Sequence, residues 1–265
     1  GVTQRIDKKT QEYSKNYKFY YNPWVLYRDK QNDILYFNEN LPSKKIILSG
    51  DSFALMYVEE MKEYGVNFEL YSNESCNTTM INDSYKGSRN CITMKNKFLE
   101  RIAKNDDSPV IISQRWDLYL KGLDKVQTEN KIKLFLDNLK NKGQNRKFYI
   151  LGDYHQPSYN PYSCLLNSQT MQSNFLSDLL HSERCEKMES KDKDSLRTDV
   201  DIEGIFKLLT LQYDNIEFIS MRDEQCNKFS CTIIENDNPI IIKPHLTKFG
   251  AEKFTKFIMN KINYK

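Results

Sequence analysis

The sequence predicts an α/β domain: a five-stranded, mostly parallel sheet covered by helices on both faces, an α/β/α sandwich. Three observations lead there. Five short β-branched or apolar runs alternate with stretches of helical period, the pattern of strands joined by crossover helices. At 39% hydrophobic and 28% charged over 265 residues, the chain has enough apolar side chains for a core of that size, which excludes disordered and collagen-like classes. The longest purely apolar runs, Ile46-Ile47-Leu48 and Ile240-Ile241-Ile242, are far too short to cross a bilayer. The net charge of +3 is an almost even balance of 39 basic and 36 acidic residues, so no electrostatic footprint for nucleic acid or a membrane surface is present.

The elements follow in order. Residues 1–43 are rich in aromatics (Tyr13, Tyr17, Phe19, Tyr20, Tyr21, Trp24, Tyr27, Tyr36, Phe37) without a clean period, and read as a linker or extension packing on a main domain of residues 44–265. Lys45–Ser49 is a buried strand that ends in the turn Gly50-Asp51-Ser52. Phe53–Tyr64 is helical and stops at Gly65; Asn67–Tyr71 is the second strand. Ile92–Ala103 is a helix with Ile92, Phe98, Leu99, Ile102 and Ala103 broadly on one face, and Pro109–Ser113 the third strand. Lys131–Lys142 is a helix ended by Gly143, and Lys147–Leu151 the fourth strand, running into Gly152-Asp153-Tyr154-His155. Ser173–Arg184 and Ile202–Leu211 are helices separated by the charged stretch Glu186–Asp194, and Asn215–Ser220 is the fifth strand. Thr247 caps a last helix whose Phe249, Phe254, Phe257, Ile258 and Ile262 recur at three- to four-residue steps.

Six cysteines form local sets; of the fifteen pairings open to them the local ones, Cys76–Cys91, Cys164–Cys185 and Cys226–Cys231, are expected, with an oxidising compartment, and unpaired cytosolic thiols are the alternative. Zinc is not expected: there is no C-x-x-C and only three His, none beside a Cys pair. The chain opens Gly1-Val2, without Met and without a charged-then-apolar leader, so a mature form or a piece of a longer protein is expected. Three Asn-x-Ser/Thr triplets, beginning at Asn73, Asn77 and Asn82, are expected by chance in so Asn-rich a chain.

In a parallel sheet, ligands bind at the carboxyl ends of the strands. Ser52 stands there at the end of the first strand, with its backbone N–H at a helix start where an oxyanion is stabilised. Pro244-His245-Leu246-Thr247 precedes the last helix, from where an imidazole can fold back as general base toward the Ser52 hydroxyl.

Three segments, ILSGDSFALMY (from Ile47), SQRWDLYL (from Ser113) and HLTKFGAEKF (from His245), resemble the SGNH (GDSL-type) hydrolase superfamily, which has a flavodoxin-like α/β/α fold. More narrowly they are similar to the extracytoplasmic SGNH domain carried behind the membrane acyltransferase family 3 region in bacterial O-acetyltransferases of surface polysaccharides such as lipopolysaccharide. The resemblance runs from about Lys44 to the C-terminus and includes a Cys pair before the final block, as Cys226/Cys231. It implies Ser52 as nucleophile and His245 as base, with no bound cofactor and no metal. The acetyl donor would be supplied, ultimately from acetyl-CoA, by an integral-membrane domain of the same longer chain. The domain would then be periplasmic and tethered to the inner membrane, with a surface glycan as acceptor. Asn73, Arg115, Trp116, Asp153 and His155 sit in strand-end loops as oxyanion or acceptor-binding candidates; an ion pair of Arg115 with Asp51 is the structural alternative. The chain departs from the family at the triad acid, expected three residues before the His: Ile242 stands there. Asp237, Asp153 or a backbone carbonyl would then orient the imidazole, or the site would run as a Ser–His dyad. O-acetyl transfer to a cell-surface carbohydrate is the leading reading; a carbohydrate O-acetylesterase and a non-catalytic carbohydrate-binding or assembly domain are the alternatives.

Overall fold

A computed structural model describes residues 23–30, 33–74, 76–77, 89–157, 161, 200–227, 230–236, 238–242 and 244–264. The expected helix at 173–184, the stretch 186–194 and the pair Cys164–Cys185 lie outside the described residues.

Strand β2 (Ile46–Gly50) is buried at every position, as a strand covered on both faces must be. It lies between β3 (Phe68–Ser72) and β4 (Val110–Ser113), followed outward by β5 (Phe148–Leu151) and β6 (Ile216–Ile219), all parallel. β2 is thus succeeded on one side by β3 and on the other by β4, and this reversal opens the crevice where ligands of doubly wound sheets sit. Ser52 follows β2 directly.

The sheet has six strands rather than five: β1 (Leu35–Phe37) adds an antiparallel edge to β3, with Phe37 opposite Phe68 and their rings stacked at 4.6 Å. Three residues are too short for a periodic signal, and the strand is held by that cross-strand pair. Alternate residues feed two cores. Ile46, Leu48, Phe68 and Leu70 face α1 (Ser52–Leu55), α2 (Val58–Glu63) and the last helix, with Phe254, Ile258 and Met259. Ile47, Val110, Ile112, Phe148 and Ile150 face α3 (Arg89–Ile102), α5 (Lys125–Lys142) and α6 (Ile202–Thr210), with Phe98, Phe135 and Phe206. Between these lies the short α4 (Trp116–Leu120) after β4. A further short helix, α7 (Arg222–Gln225), follows β6.

The C-terminal part holds two small hairpins, β7 (Ile234–Glu235) with β8 (Asn238–Pro239) and β9 (Ile241–Ile242) with β10 (His245–Leu246). Thr247 caps the last helix, α8 (Lys248–Lys261), through the Gly250 N–H at 3.0 Å. A side chain at Gly250 would put its Cβ 2.1 Å from the Ile240 carbonyl oxygen, so glycine there lets α8 close onto the strand segment. Disulfides join Cys76 to Cys91 and Cys226 to Cys231. Among the described residues no helix is long and apolar enough to cross a membrane.

Candidate active site

The site is built from the end of β2 outward. Gly50 lies so close to β4 that a Cβ would sit 1.6 Å from the Ser113 carbonyl oxygen; only glycine allows the strand to end there. Asp51 caps α1, accepting from the Phe53 N–H at 2.8 Å, and also accepts from the Arg115 N–H at 3.1 Å and the Tyr119 hydroxyl at 2.9 Å. One carboxylate therefore ties the β2 turn to the β4 turn and to α4. Burial pushes its carboxyl up to about 6 against the pull of those donors. Its own carbonyl accepts from Ser72 Oγ at 3.0 Å, which locks the turn to β3. Ser52 is half-buried at the first position of α1, between the buried Asp51 and Phe53.

His245 reaches the same point from the C-terminal side: its Nε2 is 2.9 Å from Ser52 Oγ. The hairpin that carries it is pinned at several atoms. The Pro244 carbonyl accepts from the Tyr154 hydroxyl and from Gln156 Nε2, the latter at 2.9 Å. The Leu246 N–H lies 2.9 Å from Met56 Sδ, and Tyr154 stacks on Phe53 at 5.3 Å. The imidazole packs against Trp24 at 4.7 Å between ring centroids and meets Phe53 edge-on at 6.0 Å. Burial, with the positive charge of Arg115 adding to it, pushes the imidazole down to about 3. The ring is therefore neutral at neutral pH, with a lone pair for a proton, but it is a weak base.

Among the described residues no carboxylate is hydrogen-bonded to the His245 ring. Asp153, just past the end of β5, is half-buried and its Oδ2 accepts from the Asp117 N–H at 3.2 Å, so it anchors the start of α4. Burial first, and the Asp117 carboxylate second, hold its carboxyl well above the usual range. Asp237 lies outside the described residues. Ile242 faces His245 directly across the β9–β10 pair.

The other candidates divide. Asn73 is buried beside the β2 end, its N–H donating to the Gly50 carbonyl at 3.4 Å. Arg115 does not pair with Asp51 through its guanidinium. It clasps Asp117, Nε to Oδ1 at 3.1 Å and Nη2 to Oδ2 at 3.3 Å, because the start of α4 brings those two side chains together. Trp116, expected as an acceptor contact, is instead a core residue. It is 1% exposed, its ring lies on Phe135 and Phe206, and its indole N–H is used by the Leu151 carbonyl at 2.8 Å. His155 is buried, and Gln225 bonds both its N–H (2.7 Å) and its carbonyl (3.0 Å). Sequence reasoning did not single out Tyr154, Gln156 or Trp24 as shapers of the site. The aromatic at 154 beside the Asp153-His155 loop was the one available signal for the first.

Comparison with known proteins gives the family. The family model of the SGNH domain fused to AT3 domains matches residues 25–260. Among solved structures, the periplasmic domain of a lipopolysaccharide acetyltransferase from Salmonella ser. Paratyphi A aligns at 17% identity over 83% of this chain and 84% of its own, with a TM-score of 0.60. A carbohydrate esterase family 2 enzyme with a carbohydrate binding domain from Corynascus thermopiles (Myceliophthora fergusii) aligns at 11% identity over 84% of this chain and 68% of its own, TM-score 0.44. An active-site mutant of a family two carbohydrate esterase from Clostridium thermocellum aligns at 12% identity over 85% and 66%, TM-score 0.43. A search of curated proteins returned no match. The family model covers most of the chain: the chain belongs to the family of SGNH domains fused to AT3 domains.

Proposed function

We propose that this domain transfers an acetyl group to a hydroxyl of a cell-surface carbohydrate through an acyl-enzyme on Ser52, with His245 as the base. The observation that carries the reading is the 2.9 Å approach of His245 Nε2 to Ser52 Oγ at the carboxyl edge of β2. In the first step the imidazole takes the Ser52 proton while Oγ bonds to the acyl carbonyl carbon. The tetrahedral oxyanion collapses, and the leaving oxygen of the donor takes the proton from His245. In the second step the acceptor hydroxyl gives its proton to His245 and attacks the acyl carbon, and Ser52 Oγ leaves with that proton. The Ser52 N–H, at the first helical position where no intrahelical acceptor exists, is the proposed oxyanion donor, with Asn73 beside it. The acetyl group reaches Ser52 from an AT3-type membrane domain of a longer chain, ultimately from acetyl-CoA, which places this domain on the extracytoplasmic side; the family's fusion to AT3 domains supports this. Transfer outruns hydrolysis only when the acceptor is positioned and water is excluded.

The test is direct. On incubation with p-nitrophenyl acetate, intact mass and peptide mapping should find an acetyl adduct on Ser52 that is lost in Ser52→Ala, and an acceptor oligosaccharide should then carry the acetyl group away. Rapid hydrolysis with no transfer would leave the esterase. Absence of the adduct, with Ser52→Ala indistinguishable from wild type, would leave a carbohydrate-binding domain.

The buried imidazole also predicts a pH profile. A base active in its neutral form loses activity as pH falls through its folded pKa, here about 3. Between pH 5 and 8, kcat/KM of ester hydrolysis should therefore change little. An acid limb with a midpoint near 6 to 7 that survives Asp51→Asn would show that another carboxylate supports the ring; a limb that Asp51→Asn removes would belong to Asp51, which sits at about 6.

A further inference from the structure

The His245 ring has one side on Ser52 and, among the described residues, no carboxylate accepting a hydrogen bond on the other. What does lie on it is an indole. Trp24 sits in the 3-10 helix Pro23–Lys30, far from His245 in the chain, with its ring 4.7 Å from the imidazole and inclined by 37°. That helix is not loosely placed. Tyr27 is 7% exposed, its hydroxyl bonds Glu59 on α2, and its ring meets Phe37 of β1 edge-on at 5.7 Å. Phe53, the residue after Ser52, closes the imidazole from a second direction at 6.0 Å and 62°. The imidazole is thus oriented by two aromatic surfaces, one of them supplied by the aromatic-rich segment that precedes the main sheet.

A triad carboxylate has two tasks: it holds the ring in a productive orientation, and it stabilises the positive charge that appears when the ring takes the proton. An indole face does both in weaker form. Packing restricts the ring, and the negative face of the π system attracts an imidazolium within about 6 Å. The need is real here, since burial and the Arg115 charge both disfavour the protonated ring. Asp51 is held by the Phe53 and Arg115 N–H groups and the Tyr119 hydroxyl, and Asp153 Oδ2 is held by the Asp117 N–H at the start of α4.

We propose that Trp24 is a positioning residue for His245, its indole face orienting the imidazole and stabilising the imidazolium formed when the Ser52 proton is taken, in place of the triad acid that Ile242 replaces. The inference rests on the Ser52–His245 reading above. It also gives the segment before β1 a part in the chemistry.

The experiment compares Trp24→Phe, Trp24→Leu and Trp24→Ala with wild type in hydrolysis of p-nitrophenyl acetate, with rates normalised to active sites counted by the Ser52 adduct and with folding followed by circular dichroism. Phe keeps a π face; Leu fills space without one. The expected result is that Trp24→Phe retains most of kcat, whereas Trp24→Leu and Trp24→Ala each lose about tenfold in kcat with KM for this small ester nearly unchanged. A Leu variant equal to wild type, or a loss that disappears on normalisation, would show that the indole only fills space and would overturn the inference. Failure of the underlying reading looks different: wild type would then form no Ser52 adduct, or His245→Ala would be as active as wild type.

Discussion

Replacing Ile242 by Asp should raise kcat of ester hydrolysis by tenfold or more. Residues 242 and 245 are direct partners across the β9–β10 pair, and cross-strand partners hold their Cβ atoms about 5 Å apart. A carboxylate at 242 therefore starts beside the imidazole. It would raise the ring from about 3 toward the usual histidine range and stabilise its protonated form. The ceiling is the roughly 10⁴-fold that a triad Asp contributes where it has been removed from an efficient enzyme. The full amount is not expected, because Ile242 is 5% exposed and the new charge is itself desolvated there. Two measurements check this: kcat per titrated active site, and the His245 titration followed by NMR. Ile242→Asn, of similar size but uncharged, should gain little. If Ile242→Asp changes neither the rate nor the titration, the ring already has its acid; a loss of most activity in Asp237→Ala or Asp153→Ala would then name it.

Arg146→Ala should cost about 3 kcal/mol of folding free energy, the low end of the range for breaking a buried charged pair by removing one partner, because the Asp106 side chain is 37% exposed and keeps other donors. Arg146 is 2% exposed and uses all its donors. Nε bonds the Ile102 carbonyl at 2.9 Å, Nη1 bonds Asp106 Oδ1 at 2.6 Å and the Ser108 carbonyl at 3.0 Å, and Nη2 bonds the Arg101 and Lys104 carbonyls at 3.3 and 2.8 Å. Several of these acceptors are the last carbonyls of α3 and the turn after it, which have no partner within the helix. Asp106 is also held by Arg101, whose Nε pairs with Glu69 on β3. Burial works against the Asp106 carboxylate, but hydrogen bonds from Arg146, Ser108 and Arg101 keep its carboxyl below the usual range. Truncation takes the guanidinium from the Ile102 and Ser108 carbonyls, while the Arg101 and Lys104 carbonyls keep the Lys104 and Asp106 N–H groups and Asp106 keeps Arg101 and the Ser108 N–H. Urea denaturation measures the loss, and Arg146→Lys, with its single ammonium, should recover only part of it. This knot precedes β5, at the strand ends opposite Ser52, so kcat per folded molecule should be unchanged. A loss under about 1 kcal/mol would show that water replaces the guanidinium without cost.

The parallel strands, Ser52 in the β2 turn, the cap at Thr247 and the helices 202–210 and 248–261 were all legible along the chain. Each is written in neighbouring residues: a β-branched run, a Gly at a tight turn, a capping hydroxyl before a periodic stretch. Chain order also singled out His245 as a partner for Ser52, because strand-end loops of a parallel sheet converge on one edge. The missing acid at 242 was equally plain, as a departure at one position. Only the tertiary structure decided the rest. It turned 35–37 into an edge strand through Phe37 on Phe68, and brought the indole of Trp24 onto His245. It sent Trp116 into the core, gave Arg115 to Asp117 rather than Asp51, and set Arg146 at the end of α3. These are choices of partner between side chains that local propensity leaves equivalent. An aromatic or an arginine fits many environments, and the crossing of elements distant in sequence selects which ring, carbonyl or carboxylate it meets.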